Sequence, residues 1–178
     1  MSAVPLPELG RRICILGPSN SGKSTLADVI ARKCGLQAIH LDQLYHRPHT
    51  DWEPRPPDEF MALHDEAILG DAWVMDGNYS KCMPQRFRRA TGVILLDIST
   101  PLSLFRYARR CLFDRARTGG LEGGRDGIRW GMIRHIAVVT PGNRRRYAEL
   151  YRQLRLPKVR LASAHAIDRC YRQWGLER

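Results

Sequence analysis

The nine-residue segment GPSNSGKST constrains this chain more than any other part of the sequence. It runs from Gly17 to Thr25 and directly follows the apolar run RICIL, which ends at Leu16. Its first eight residues fit the pattern G-x-x-x-x-G-K-[ST], in which the backbone N–H groups of a strand-to-helix turn surround a phosphate. The helix that begins there adds the positive end of its dipole. The sequence therefore predicts a phosphate-binding loop after the first strand.

The residue types in this segment suit a nucleoside triphosphate with its metal ion. Lys23 is expected to reach the β- and γ-phosphates of ATP, and the hydroxyl of Ser24 to bind Mg²⁺. A glycine-rich turn that merely caps a helix is the alternative. We set it aside because the match falls between a strand and a helix, where phosphate binding requires it. The residues expected to bind the nucleotide are Gly17, Pro18, Ser19, Asn20, Ser21, Gly22, Lys23, Ser24 and Thr25.

Apolar runs alternate with helical patterns along the chain, which is typical of a parallel sheet flanked by helices. Strands after the first are predicted at 37–41, 72–75, 92–96 and 158–161. Helices are predicted at 22–34, 57–69, 101–117, 128–139 and 144–155, the fourth of them stopped by Pro141 and Gly142. Pro57 suits the first position of its helix, and Ser163 suits the cap of a last one. The 178 residues fit one α/β domain.

The third predicted helix, 101–117, shows an apolar spacing with arginines on its other side. We expect its buried face to consist of Leu102, Phe105, Ala108 and Leu112. Two segments lack a helical or strand pattern. Residues 43–57 form a loop rich in proline and aromatic side chains, and residues 118–127 contain five glycines, which predicts a mobile loop.

An aspartate follows three of the predicted strands, at Asp42, Asp76 and Asp97. Ligands of open parallel sheets bind at the carboxyl ends of the strands. Asp76 is therefore expected to hold Mg²⁺ together with Ser24, directly or through water. Asp42 is a candidate base for an acceptor hydroxyl, and the alternative role is to help order Mg²⁺. For each of the three, the alternative is an aspartate that only starts a loop or caps a helix.

The positive charge of the chain, +11 overall, is concentrated in its second half. Residues 1–80 carry 7 basic and 11 acidic side chains, a net −4, whereas residues 81–178 carry 22 and 7, a net +15. Arg106, Arg110 and Arg117 share one helix face, and Arg144, Arg145 and Arg146 open a later helix. Two arginine sets around a glycine-rich segment predict a lid that closes on a triphosphate. A solvated basic surface or contact with nucleic-acid phosphates are the alternatives.

Several classes of protein are not expected from this sequence. No apolar stretch approaches the roughly 20 residues of a membrane helix, and the first residues lack the pattern of a signal peptide. The odd number of cysteines and the absence of a Cys-x-x-Cys pattern argue against a disulfide framework or a zinc site. We therefore expect a cytoplasmic protein with no membrane partner and with reduced thiols at Cys14, Cys34, Cys82, Cys111 and Cys170.

The segments GPSNSGKST, HLDQLY, WVMDGNYS and VILLDIS, followed by the arginine helix, resemble in this order the small P-loop kinases of the adenylate kinase class. The resemblance covers roughly residues 12–161. It is closest to the bacterial branch of adenylate kinase-like or DNA-topology modulation proteins. It implies a three-layer α/β/α fold of the P-loop type, with a five-stranded parallel sheet in the order 2-3-1-4-5. It also implies an acceptor-binding region at about 43–72 and a lid at about 115–143.

Single positions carry over from that class. Asp76 and Gly77 match the start of its DGFPR segment, but Asn78 and the residues that follow replace the rest. Two arginines of the class follow the aspartate of the fourth strand by nine and thirteen residues. They correspond here to Arg106, expected beside the adenine, and Arg110, expected beside the phosphates. Arg144 and Arg145 are the proposed lid arginines.

Together these features lead us to expect an ATP- and Mg²⁺-dependent phosphotransferase that acts as a monomer or homodimer. Its acceptor would be a nucleoside, a nucleotide or another small hydroxylated metabolite. Holding donor and acceptor in line would supply most of the rate. The alternative is a nucleotide-dependent protein that binds DNA or RNA through its basic half. The residues expected to face the acceptor are Asp42, Tyr45, Trp52, Asn78 and Lys81.

Overall fold

A computed structural model describes residues 4–113 and 130–177 of the chain. Its five strands all run parallel in one sheet with the order β2-β3-β1-β4-β5. The predicted α/β class and strand order are therefore confirmed. Because β1 lies in the middle, the loop that follows it sits at the centre of the carboxyl edge. The strands are β1 (Arg12–Leu16), β2 (Gln37–His40), β3 (Trp73–Asp76), β4 (Gly92–Leu96) and β5 (Lys158–Leu161).

Helices connect the strands and cover both faces of the sheet. The α-helices are α1 (Lys23–Cys34), α2 (Leu41–Tyr45), α3 (Pro57–Ala67), α4 (Met83–Arg89), α5 (Thr100–Phe113), α6 (Trp130–Arg134), α7 (Thr140–Gln153) and α8 (Ala164–Gln173). Short 3₁₀ helices span Leu6–Leu9 and Ser80–Cys82, and a π-helical turn spans His135–Val139. No helix among the described residues is long and apolar enough to cross a membrane.

The central strand supplies side chains to two separate apolar clusters, one on each face of the sheet. Ile13 and Ile15 pack in the cluster that contains Ile30 of α1 and Ile167 of α8. Cys14 and Leu16 point the other way, into the cluster formed with α3, α4 and α7. Strands buried on both faces read as continuous apolar runs, as in a doubly covered parallel sheet. The two clusters give the predicted three-layer arrangement.

Two predicted helix starts are confirmed. Pro57 is the first residue of α3, where its missing N–H would have had no partner in the helix. Ser163 caps α8, because its Oγ accepts a hydrogen bond from the N–H of Ala166 at 3.1 Å.

Two boundaries were predicted wrongly. Residues 43–45 belong to α2 rather than to a loop. The segment from Trp130 to Gln153 is helical throughout, so Pro141 does not separate two helices. The π-helical turn ends at Val139, two residues before Pro141. In a regular α-helix the proline ring would clash with the carbonyl group four residues earlier, and the wider winding of a π-helix relieves that clash.

The buried face of α5 was also predicted wrongly. Ser103 and Tyr107 are buried, whereas Phe105 and Leu112 are 65% and 66% exposed and Ala108 is exposed too. Leu102 alone of the predicted set packs partly into the core. Arg106 accounts for this orientation, since its guanidinium donates to the carbonyl oxygen of Ser21 at 2.8 Å and so turns the arginine side of the helix towards the phosphate loop.

The predicted lid is described only in its second part. Residues 130–143 are helical, as given above. Residues 115–129, which include Arg117 and the glycine-rich stretch 118–127, lie outside the described residues.

Candidate phosphate and metal site

The loop between β1 and α1 has the position that the sequence predicted, with Leu16 ending the strand and Lys23 beginning the helix. Gly17 leaves the strand with φ +150°. A Cβ atom at this residue would lie 2.4 Å from the carbonyl oxygen of Leu96 in β4. Only glycine therefore lets the loop pass this close to the neighbouring strand.

Lys23 reaches back across the loop. Its Nζ donates to the carbonyl oxygen of Pro18 at 2.9 Å, so the ammonium group lies over the turn. The hydroxyl of Ser21 is buried inside the loop and has no hydrogen-bond partner among the described residues. A buried hydroxyl normally has a partner. An ammonium group and a spare hydroxyl at a helix N-terminus fit a phosphate group.

Ser24 and Asp76 meet at the edge of the sheet. The Ser24 Oγ donates to Oδ2 of Asp76 at 2.9 Å, and Asp76 is buried at the end of β3. A hydroxyl and a carboxylate are hard oxygen ligands of the kind that Mg²⁺ prefers. Mg²⁺ bound here would neutralise phosphate charge, with Ser24 and Asp76 as its protein ligands.

His40, at the end of β2, lies beside this pair. Its Nδ1 is 2.5 Å from Oδ1 of Asp76, and its Nε2 is 2.9 Å from Oδ1 of Asp28 on α1. Burial of the imidazole opposes protonation, but the hydrogen bonds and negative charges of Asp76 and Asp28 outweigh it and raise the pKa of His40. Both ring nitrogens can donate only in the protonated form, which matches two carboxylate partners. No sequence pattern distinguished this histidine, because its role depends on strand pairing.

Asn78 holds the loop from the opposite side. Its amide nitrogen donates to the carbonyl oxygen of Gly17 at 2.9 Å, and its Oδ1 accepts the Gly17 N–H at 3.1 Å. The residue was expected to face the acceptor. Its side-chain amide is instead bonded at both ends to the phosphate loop.

Asp42 is the second residue of α2, which begins directly after β2 ends at His40. Its Oδ1 accepts a hydrogen bond from the hydroxyl of Tyr79 at 2.7 Å. Burial, and then the neighbouring Asp42 carboxylate, raise the pKa of Tyr79, so the phenol remains a donor. Tyr45 packs on the same ring, with centroids 4.9 Å apart, and on Phe60 at 5.2 Å.

The other two residues expected at the acceptor have different surroundings. The ring of Trp52 packs edge-on against His46, at a centroid distance of 5.1 Å, and its φ of +62° marks a tight turn in the 43–57 segment. Lys81 is exposed in the 3₁₀ turn Ser80–Cys82, which follows Tyr79. The structure thus brings Asp42 and Tyr45 together with Tyr79, while Trp52 and Lys81 stand at the periphery of the 43–82 region.

Arg86 is a buried cation that the sequence analysis missed. Its guanidinium donates to the carbonyl oxygens of Gly77 and Asn78, each at 3.0 Å. The side chain is fully buried on α4. It therefore fixes the backbone of the segment that carries both Asp76 and Asn78. An arginine within a short, strongly basic helix gives no sequence signal for burial.

The predicted arginines divide into two groups. Arg106 donates to Ser21 of the loop, and the guanidinium of Arg110 lies 5.5 Å from the ring of Tyr107.

The predicted lid arginine Arg144 instead donates to the buried carboxylate of Asp97 at 2.8 Å. Arg160 on β5, which the sequence analysis missed, donates to the other oxygen of that carboxylate at 2.5 Å. Arg145 is exposed on α7.

Comparisons with known proteins bear on the fold. No family model matches the chain. Among solved structures, a gluconokinase from Sinorhizobium meliloti 1021 aligns over 94% of this chain and 93% of its own, with a TM-score of 0.54 and 15% sequence identity. The chain shares the fold of that P-loop kinase. At this identity the likeness establishes the architecture alone.

A curated protein also shows a partial sequence match. A tRNA dimethylallyltransferase from Rhodopseudomonas palustris (strain BisB18) is 37% identical over 83 residues, which is 40% of this chain and 26% of that protein. The chain therefore spans about a quarter of the length of this relative. Membership of the adenylate kinase-like branch stays a prediction.

Proposed function

We propose that this protein is an ATP- and Mg²⁺-dependent phosphotransferase that acts on a small molecule through a hydroxyl group. The observation that carries the proposal is the 2.9 Å contact between Ser24 and Asp76, beside a lysine that lies across the phosphate loop. An ammonium group, a metal-ligand pair and a helix N-terminus at one point of the sheet are what transfer of a phosphoryl group requires. The kinase fold of the structural neighbour supports the same conclusion.

On the donor side, the loop and Lys23 bind the phosphates of ATP. Ser24 and Asp76 would hold Mg²⁺, which would neutralise the charge of the phosphates. Arg106 and Arg110 come from one helix beside the loop, with Arg106 towards the adenine and Arg110 towards the transferred group. Arg144 and Arg145 contact that group when α7 and the phosphates approach each other.

Arg144 is paired with Asp97 in this structure, and a contact with phosphate requires it to leave that carboxylate. Arg160 holds the second oxygen of Asp97, so the buried charge keeps one cationic partner after Arg144 leaves. An uncompensated buried carboxylate would oppose the exchange. This arrangement supports a lid role for Arg144.

On the acceptor side, Asp42 is the proposed base. Its carboxylate follows the strand next to β3 and accepts a hydrogen bond from Tyr79, which orients it at the same edge of the sheet as the phosphate loop. Tyr45 and Trp52 provide aromatic surface for the acceptor, and Lys81 provides a peripheral charge. We assign Asn78 to the phosphate loop rather than to the acceptor, because Gly17 occupies both ends of its amide.

The charge of the acceptor region bears on the class of acceptor. Residues 43–72 carry seven acidic and only two basic side chains. Both basic ones, Arg47 and Arg55, form ion pairs with Glu59, at 3.2 and 2.9 Å. A phosphate already on the acceptor would meet a net negative surface. We therefore favour an acceptor without a phosphate, such as a nucleoside or a sugar-like metabolite, over a nucleotide.

The test is ATP turnover with matched acceptors, each nucleoside or sugar being measured beside its own monophosphate. We expect one unphosphorylated acceptor to raise turnover at least tenfold over the basal rate, with Mg²⁺ present and without any effect of duplex DNA. Lys23→Ala should abolish this turnover and ATP binding while its circular dichroism spectrum stays unchanged. Stimulation by DNA together with inertness towards every acceptor would contradict the proposal and favour the nucleic-acid alternative.

A further inference from the structure

Asp76 uses its two carboxylate oxygens for different partners. Oδ2 accepts the hydrogen bond from Ser24 and Oδ1 the one from His40. A carboxylate turns easily about its terminal torsion, since this torsion has no sharp minima. Fixing one oxygen therefore determines where the other points.

We propose that His40 is a positioning residue for the cation site, holding Oδ1 of Asp76 so that Oδ2 stays directed at Ser24 and Mg²⁺. The inference rests on the proposed function, which assigns Mg²⁺ to Ser24 and Asp76. It adds a residue that touches neither the nucleotide nor the metal. Outer-shell partners of this kind orient metal ligands and commonly change metal affinity by about 10- to 100-fold.

The sheet itself places His40 beside Asp76. The two residues are register partners across the β2–β3 pair, and they end their strands at the same edge. Register partners of a parallel pair point to the same face of the sheet, so the imidazole reaches Asp76 from the neighbouring strand, while Ser24 reaches it from α1. His40 and Asp76 side chains are only 10% and 7% exposed, so little water competes for these bonds.

Asp28 on α1 contacts the other ring nitrogen, Nε2 of His40, at 2.9 Å and so fixes the orientation of the imidazole. Asp28 follows Ser24 by four residues on α1, so both side chains lie on one face of that helix. The contacts therefore form a ring that runs from Ser24 to Asp76, His40, Asp28 and back through one turn of α1. Displacing any member would shift the distance between the two proposed metal ligands.

Two substitutions separate the contacts of the imidazole. In His40→Asn, the amide nitrogen takes roughly the place of Nδ1 and can still donate to Asp76. In His40→Gln, the amide nitrogen takes roughly the place of Nε2, keeping Asp28 and losing Asp76. A residue that merely filled space or satisfied a buried polar site would not distinguish the two variants. His165→Gln, on the exposed side of α8, is the matched control.

The measurement is calorimetric binding of ADP with and without Mg²⁺, which needs no acceptor and no turnover. We expect His40→Gln to raise the Mg²⁺ concentration for half-maximal tightening at least tenfold, and His40→Asn to stay within about threefold of the parent protein. Metal-free ADP affinity should be equal in all variants. Electron paramagnetic resonance of Mn²⁺ in the ADP complex provides a second readout of the same site.

Equal Mg²⁺ dependence in the Asn and Gln variants would overturn the proposal, and so would an equal loss of metal-free ADP binding. A parent protein that binds no ADP under either condition would overturn both this inference and the proposed function. A parent protein that binds Mg²⁺ and ADP but phosphorylates no acceptor would refute only the proposed phosphoryl transfer. The comparison of the His40 variants would then still test whether His40 positions Asp76 for Mg²⁺.

Discussion

Asn78 and Gly17 are joined by two hydrogen bonds that use both ends of the asparagine amide and both peptide groups of the glycine. The asparagine comes from the segment after β3, and the glycine starts the phosphate loop after β1. Arg86 in turn holds the carbonyl oxygens of Gly77 and Asn78. The shape of the loop therefore depends on the neighbouring strand connection as well as on its own sequence.

Asn78→Asp should weaken metal-free ATP binding about tenfold, because it removes the donor to Gly17 and places a carboxylate near the phosphates. Isothermal titration calorimetry without Mg²⁺ measures this loss separately from the metal site. Gln173→Glu makes the same amide-to-acid change on the exposed surface of α8 and should bind ATP normally. Normal affinity in Asn78→Asp would show that the loop keeps its shape without this contact.

Gly17→Ala should reduce the free energy of unfolding by about 3 kcal/mol, because its methyl group overlaps the backbone of β4, which lies within the sheet and cannot move aside. Gly35→Ala is the matched control. Gly35 has φ +62° but nothing within 4 Å of its added Cβ, so only conformational strain of about 1 kcal/mol remains. Urea unfolding compares the two, and equal losses would contradict the steric argument.

Protonation of His64 should destabilise the protein in mild acid. Burial of its imidazole, aided by the positive charge of Arg86, outweighs the Asp65 carboxylate and lowers the pKa of His64 below 6.5. The unfolded chain then takes up the proton first, so stability is complete above about pH 6.5 and declines as the pH falls towards the folded pKa.

Proton NMR should give a titration midpoint for His64 below 6.5. In urea unfolding at pH 7 and pH 5, His64→Asn should lose less stability on acidification than the parent protein, since it keeps a donor for Asp65 but no longer titrates. His165→Asn, an exposed histidine on α8, should behave like the parent protein. A midpoint at or above 6.5 would refute the effect of burial.

Substitutions on the two faces of α5 should differ sharply. Phe105→Ala should change the unfolding free energy by less than about 0.5 kcal/mol, because its side chain is mostly exposed. Tyr107→Ala should cost about 3 kcal/mol, since that ring is buried. Thermal or urea unfolding of both variants compares the two losses of unfolding free energy. The reverse ranking would restore the face that the apolar spacing predicted.

The sequence was sufficient for the features that depend on local chemistry. The position of the loop between β1 and α1, the strand ends at Asp76 and Asp97, the proline start of α3 and the Ser163 cap each follow from residue types in a short segment. The strand order came from the resemblance to P-loop kinases and is confirmed. The roles proposed for the site residues, from Lys23, Ser24 and Asp76 to Arg144 and Arg145, stay predictions.

The features that sequence analysis missed depend on contacts between distant segments. His40 acquires its role from the pairing of β2 with β3, and Asn78 from the proximity of two loops that are 61 residues apart. On α5 the regularly spaced apolar residues Phe105 and Leu112 are exposed rather than buried. The helix is oriented with Arg106 towards the loop, where it donates to Ser21. Periodicity alone could not reveal a tertiary contact of this kind.

The strand order places the acidic and the basic parts of the chain on opposite sides of the sheet. Strands β2 and β3 come from the acidic first 80 residues and lie on one side of β1, whereas β4 and β5 come from the basic remainder and lie on the other. Such an order gives the molecule a permanent electric moment directed along the row of strands. The field of a polyanion would rotate the molecule, so at low salt the edge of the sheet formed by β5 should approach the polyanion first.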